Sequence, residues 1–405
     1  MRLAPPRTLL ALLGALLLAG CGKGVSNTSS SGGPINRLAP VAAQGALSVA
    51  TRNTTRLGGG DVATDAAAVA RTVYPALTTA SRPQAVVLVD RRSWNTALAA
   101  SSLAGAPLGA PLLFSDGNSL PAVTRETLEA LAPVGASALG GAQVLRIGTT
   151  AALPRAYVTR SLPAAQPEVT AAAIAGLLGQ STGHTPRQVI VLPDNAPRAL
   201  AAPAAGLSAE SGAPILFVSP ARVPAPTAAA LVALKRPAIY VLDAPALGQP
   251  ALSELGSLGT VTELPSASAG EAAGPVANAI AVARFADGQF GWGVKEPGHG
   301  LVFANASRPL DGPAAALLSA TGDYGPLLLL EGAAAIPTSL AAYLGDIQPA
   351  YTPAFDFRPV RGVYNHGWLI GDEHAISAVT QAQIDSLLEI SPRKQSGEPS
   401  VSQVE

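Results

Sequence analysis

Cys21 is the only cysteine among the 405 residues, and its surroundings point to one chemistry. It follows Leu18-Ala19-Gly20, an apolar run from Leu9 to Leu18, and the positive charges of Arg2 and Arg7. A charged start, about ten apolar residues and small residues ahead of a cysteine form the pattern of an exported chain whose thiol is acylated. The apolar run is half the length that a membrane-spanning helix needs. The pattern predicts a lipoprotein signal peptide over residues 1–20 and a lipid anchor (diacylglyceryl and palmitate-type acyl chains) on Cys21. The body would then reside outside the cytoplasm, membrane-anchored at the cell envelope. Ser, Gly and Asn dominate Gly22–Pro34, so 21–46 reads as a flexible tether, and a chain that donates its sole thiol has no disulfide.

Beyond the anchor, the residues suited to chemistry are arginines set among small polar groups. They fall in Asp90-Arg91-Arg92-Ser93-Trp94-Asn95, around Asp194, Asn195 and Arg198, and around Asn305, Ser307, Arg308 and Asp311. A guanidinium fork matches a phosphate or carboxylate, though each arginine could instead pair with a local Asp and order its loop. Trp94, Trp292 and Trp368 could stack on sugar rings or anchor the segments that carry them. Arg56 and Asp61 read either as ligand contacts or as an ion pair steadying the start of a helix. His366, Asp372, Glu373 and His374 form the one cluster suggestive of a metal, but their spacing matches no zinc motif. His184 and His299 lie in Gly/Pro-rich segments without a nucleophile motif. No Gly-x-Ser-x-Gly elbow, phosphate loop or paired-carboxylate motif occurs. The expectation is therefore no catalytic residue, no metal, no cofactor and no enzyme.

The elements that position these residues come in a repeat. Val86-Val87-Leu88-Val89 returns 103 residues later as Val189-Ile190-Val191-Leu192, and Ala110–Phe114 returns at the same offset as Ala213–Phe217. A third copy is looser, with Gly300–Phe303 and Gly325–Leu329 as its strands and Ile336-Pro337-Thr338 opening its helix. Continuous apolar runs separated by helical patterns predict parallel strands covered on both faces. In copy one the strands are Val86–Val89 and Pro111–Ser115, with a weaker third ending at Leu139 before Gly140-Gly141. Its helices are Ala66–Tyr74, Thr96–Ala106 and Pro121–Leu131. The fold class is α/β, with three tandem doubly wound (flavodoxin- or Rossmann-like) parallel-sheet modules over 47–157, 158–260 and 261–391, then a disordered tail over 392–405. Lys plus Arg and Asp plus Glu number 26 each, so the chain lacks the basic footprint of a nucleic-acid partner.

Several segments resemble the cell-wall-binding repeat 2 family of bacterial surface proteins. Arg56-Leu57-Gly58-Gly59-Gly60-Asp61 through Ala66 is similar to that family's Arg-x-x-Gly-x-Asp signature, and Thr96-Ala97-Leu98-Ala99 to its Asp-Ala-Leu-Ala segment. Gly140-Gly141 and Gly371–Ser377 resemble its Gly-Gly element, which in copy two has become Asp243-Ala244. The resemblance covers residues 47 to 391. It implies three modules about a pseudo-threefold axis and non-covalent attachment to an anionic or polysaccharide cell-wall polymer. The alternatives from the residues themselves are a solute-binding lipoprotein with a cleft between modules and a cell-envelope hydrolase. Ligands of doubly wound sheets bind beyond the strand C-termini, which places the candidate ligand residues at Arg91, Arg92, Trp94, Arg198, Asn305, Arg308 and Asp311, with Arg56 and Asp61.

Overall fold

The computed structural model describes residues 47–266, 274–321, 325–351, 359–361 and 364–392. Cys21, its tether and the tail beyond 392 lie outside them. The described residues belong to one compact unit. Among them, no helix is long and apolar enough to cross a membrane.

The chain opens with β1 (Leu47–Ala50), β2 (Thr54–Gly58) and α1 (Val62–Val73). Next come β3 (Val86–Asp90), α2 (Trp94–Ala100, prolonged as a 3-10 turn to Ala104), β4 (Leu112–Ser115), α3 (Ala122–Leu131) and β5 (Val144–Ile147). The same series then recurs as β6 (Thr159–Leu162), α4 (Pro167–Thr182), β7 (Gln188–Pro193), α5 (Arg198–Ala201), α6 (Pro203–Ser211), β8 (Ile215–Val218), α7 (Ala225–Ala233) and β9 (Ala238–Val241). After α8 (Gln249–Leu258) it recurs again, as β10 (Thr260–Glu263), α9 (Pro275–Arg284), β11 (Gly300–Asn305), α10 (Asp311–Ala320), β12 (Leu327–Leu330) and α11 (Thr338–Asp346). The last stretch holds β13 (Ala350–Tyr351), β14 (Pro359–Arg361), β15 (His366–Ile370), α12 (Ala378–Leu388) and β16 (Ser391–Pro392).

Three sheets carry the architecture. The first runs β4-β3-β5-β6 and the second β8-β7-β9-β10, all parallel. The third runs β12-β11-β15-β2 in the same pattern, with β1 added antiparallel at its edge, and β13, β14 and β16 form a small sheet of their own. The edge strand of each sheet leads into a helix that packs on the next sheet. After β6, α4 lies against β8 and α7; after β10, α9 lies against β12 and α11. The third sheet takes its edge strand from the start of the chain, and α1 then packs on β4 and α3 of the first sheet. The ring of three is thereby closed by residues far apart in sequence.

The strands are apolar on both faces, as parallel strands buried between helices must be. Val86–Val89, Val189–Leu192, Ile215–Val218 and Leu327–Leu330 are all buried. The third strand of copy one, however, is Val144–Ile147, whereas Ser137–Leu139 is only a 3-10 turn. The expectation of a strand ending at Leu139 placed it one turn too early. Gly140 and Gly141, with φ of 69° and 81°, close that turn instead of following a strand. The strand register makes Gly148 the counterpart of Gly371 and of Asp243, and all three have left-handed backbone, φ 66°, 99° and 61°.

At the centre, α2 with its 3-10 extension, α6 and α10 pack on one another. Their sequences are built from Ala, Gly and Ser, with Ala97, Ala100, Ala104, Ala205 and Ala315 buried. Small side chains let helix backbones approach closely. A Cβ on Gly105 would stand 2.0 Å from the Ala209 carbonyl oxygen, so no side chain fits there without moving backbone. Gly105→Ala is expected to lower stability by roughly 1–3 kcal/mol through overpacking, read as a shift of the urea midpoint at unchanged slope. A neutral result would show that the central contact can relax.

Candidate functional site

Each sheet presents a C-terminal edge where the strand-to-helix loops gather. At the first edge, Asp90 ends β3, and its Oδ1 accepts from the Arg92 backbone N–H at 3.0 Å, Arg92 Nε at 3.2 Å and the Gly117 N–H at 3.3 Å. Burial alone would raise the Asp90 carboxyl, but these bonds and the Arg92 charge outweigh it and hold it below the usual range. Arg91 turns away to Asp116, Nη2 to Oδ2 2.5 Å. Trp94 is only 6% exposed, so it anchors the start of α2 in the core and offers no face to a sugar. Trp292 and Trp368 are likewise packed against the core.

The first edge opens into a cleft of about 950 Å³ lined by Arg92, Asn118, Arg146, Thr149, Thr150 and Ser161, among others. Arg146 is the residue that sequence reasoning missed. It sits on β5, beyond the Gly140-Gly141 pair at which the sequence pattern ends the third strand. Its Nη2 donates to the Ala151 carbonyl at 3.0 Å, while its Nε is buried without a hydrogen-bond partner. Thr149 Oγ1 accepts from Ser115 Oγ at 2.8 Å and donates to the Gly117 carbonyl at 3.2 Å, tying the floor of the cleft to β4.

The third edge is built quite differently. Arg308 Nε donates to Asp311 Oδ2 at 2.8 Å, Nη1 to the Gly60 carbonyl at 3.2 Å, and Nη2 to Asp65 Oδ2. Asp65 Oδ1 also accepts from the Gly59 N–H at 2.7 Å. Burial, reinforced by the Asp311 charge, pushes the Asp65 carboxyl up to about 9, against the opposing pull of Arg308 and Gly59. Burial likewise raises Asp311, to about 6, with Arg308 opposing. Asn305 is buried, donating to the Ala375 carbonyl at 2.9 Å and accepting from the Ser307 N–H at 2.9 Å. Arg308, Asp311 and Asn305 thus share one edge, but the protein itself satisfies them.

Arg56 and Asp61 do not pair. Asp61 caps α1, accepting from the Ala63 and Thr64 N–H groups at 2.8 and 3.2 Å. Arg56 is 2% exposed and donates to Gln381 Oε1 at 3.0 Å and to the Gly371 and Asp372 carbonyls at 3.1 and 2.8 Å. The glycines of the signature bring the chain close to Asp65, since a Cβ on Gly58 would overlap its carboxylate.

The second edge carries Asp194 and Asn195 where the first carries Arg91 and Arg92. Burial and the nearby Glu168 raise the Asp194 carboxyl. Arg198 opens α5 and is exposed to solvent. The histidines are engaged locally: His374 Nδ1 lies 3.1 Å from Asp372 Oδ2, and His366 Nε2 lies 3.0 Å from Thr55 Oγ1. Among the described residues, no three His, Cys, Asp or Glu side chains converge as metal ligands would.

The architecture is shared with two solved structures. Cwp6 from Clostridium difficile superposes with a TM-score of 0.62 at 16% identity, over 83% of this chain and 48% of its own. Cwp8 from Clostridium difficile superposes with a TM-score of 0.60 at 17% identity, over 84% of this chain and 52% of its own. The chain thus spans about half the length of each. No family profile and no curated protein sequence matches it.

The register of the sheets identifies equivalent positions at the three edges. Arg146 on β5 stands beside Ser161 on β6; Leu369 on β15 stands beside Arg56 on β2; Val241 on β9 stands beside Glu263 on β10. Register neighbours in a parallel sheet project to the same face. A guanidinium is therefore supplied at the same level of the first and third sheets, from adjacent strands, and a carboxylate at that level of the second.

Proposed function

We propose that the chain is a non-catalytic surface lipoprotein whose α/β modules attach without covalent bonds to an anionic cell-wall polymer. The observation that carries this reading is the three-sheet fold held in common with Cwp6 and Cwp8, which are Clostridium difficile cell wall proteins. The arginine-bearing edges supply the chemistry, because a guanidinium recognises a phosphate or carboxylate in bidentate fashion. With the lipid on Cys21 in the membrane and the body on the wall, the protein would bridge the two layers.

The test is co-sedimentation of the purified chain with cell walls, intact or stripped of anionic polymer, across a salt series. Retention on intact walls, lost on stripping and weakened as salt screens the charges, is the expected result. Equal recovery in the supernatant with both wall types would sink the reading and favour the solute-binding alternative.

A further inference from the structure

The three edges are equivalent in topology but not in charge. We propose that the cleft of the first sheet is the chain's anion seat, taking one phosphate or carboxylate group between Arg92 and Arg146, and that the other two edges do not bind. The assignment rests on the wall-binding reading above and narrows it to one edge.

The donors at the first edge are incompletely used. Arg92 engages Asp90 through Nε and its backbone N–H, and its two terminal nitrogens have no hydrogen-bond partner among the described residues. Arg146 spends one nitrogen on the Ala151 carbonyl and keeps a buried Nε unpaired. A buried donor without a partner costs free energy that an incoming oxyanion would recover. The one carboxylate lining the cleft, Asp90, is occupied by its own loop through Arg92 and Gly117. Asp116, whose Oδ1 lies 3.9 Å from Arg92 Nε, is matched by Arg91, so three guanidinium groups face two carboxylates and the edge is net positive.

At the third edge the corresponding place is already filled. Arg56 gives Nε to Gln381 and Nη1 to the carbonyls of Gly371 and Asp372; its Nη2 has no partner, but at 2% exposure the side chain lies beyond a ligand's reach. Arg308 is held by Asp65 and Asp311, carboxylates that stand where a ligand's oxyanion would stand. The second edge repels one instead. It has Asp194 for Arg91, Asn195 for Arg92, Val241 for Arg146, and Glu263 beside Val241.

The experiment is titration calorimetry of the full chain with two probes, an oligomer of glycerol phosphate and an oligogalacturonate. The probe that binds names the oxyanion. The expected result is one equivalent per chain, weakened roughly tenfold or more by Arg146→Gln and by Arg92→Gln, and unchanged by Arg198→Gln at the second edge. Arg92 is 65% exposed, so its variant decides the matter even if Arg146→Gln folds poorly. Three equivalents, or weakening by Arg198→Gln alone, would overturn the single seat. Binding of neither oligomer by a chain that intact walls still retain would overturn it while leaving wall attachment in place. Oligomer binding at Arg92 and Arg146 without retention on walls would uphold the seat and sink wall attachment.

Discussion

Arg308→Ala is expected to destabilise the folded body by about 3–5 kcal/mol, the cost of removing one partner from a buried ionic cluster. Arg308 is 21% exposed at its side chain, while the Asp65 and Asp311 side chains are 0% and 2% exposed. The truncation leaves two carboxyl groups facing one another in the interior, with no cation to offset the charge that Asp311 carries at neutral pH. Arg308→Lys should fall between, because an ammonium is a point charge and cannot reach Asp65, Asp311 and the Gly60 carbonyl as a planar fork does. The position of the cluster makes the effect more than local. Asp65 lies on α1 and Arg308 on the loop between β11 and α10, so their bond clasps the segment that supplies the third sheet's edge strand and then crosses to the first sheet. In the variant, amides of β2 and α1 should exchange with solvent ahead of those in β7 and β8. A loss below 1 kcal/mol with uniform exchange would show that the clasp contributes little.

The parts of the fold legible in the sequence were those set by local chemistry. Apolar runs such as Val86–Val89 and Val189–Leu192 declared parallel strands, and the 103-residue offset declared two copies of one unit. Pro121, ahead of α3, marked a helix start, since proline cannot donate within a helix. What escaped depended on pairing between distant segments. Nothing in Thr54–Gly58 announces that it lies beside residues 367–370, because the place of a short parallel strand is specified by its neighbours and not by its own pattern. The same ambiguity hid Arg146. A four-residue strand containing an arginine has little periodicity, and Gly140-Gly141 drew the reading to the wrong turn. At the site, the loops after β3, β7 and β11 were located correctly, yet which arginines remain available could not be read there. Arg91 is taken by Asp116 and Arg308 by Asp65, and the second of these partners lies 243 positions away in sequence.

The same cluster should make stability depend on pH in a direction opposite to that of most carboxylates. A carboxyl whose pKa rises on folding keeps its proton in the folded chain at pH values where the unfolded chain has released it, so raising the pH favours unfolding. Asp65 is raised from 3.8 to about 9 and Asp311 to about 6, so the decline begins near the unfolded value of 3.8, is carried by both groups up to about pH 6, and between about pH 6 and pH 9 rests on Asp65 alone. Each pH unit over which one such proton is retained is worth about 1.4 kcal/mol, so even two units would remove roughly 3 kcal/mol. Asp90 and Asp372 are lowered and act in the other sense, but their contribution is lost only as pH falls below the usual carboxylate range, below this window. Arg308 and Arg56 stay charged throughout it. Thermal unfolding of the wild-type chain should therefore show Tm falling steadily from pH 6 to pH 9, and Asp65→Asn should flatten that slope. The amide would meet either the Gly59 N–H or Arg308 with a donor of its own, so the variant should start from a lower Tm, and the comparison lies in the slopes. A wild-type profile flat across the window, or a slope that survives Asp65→Asn, would mean that Arg308 holds both carboxylates ionised. The clasp would then be an ordinary ion triad, insensitive to pH near neutrality.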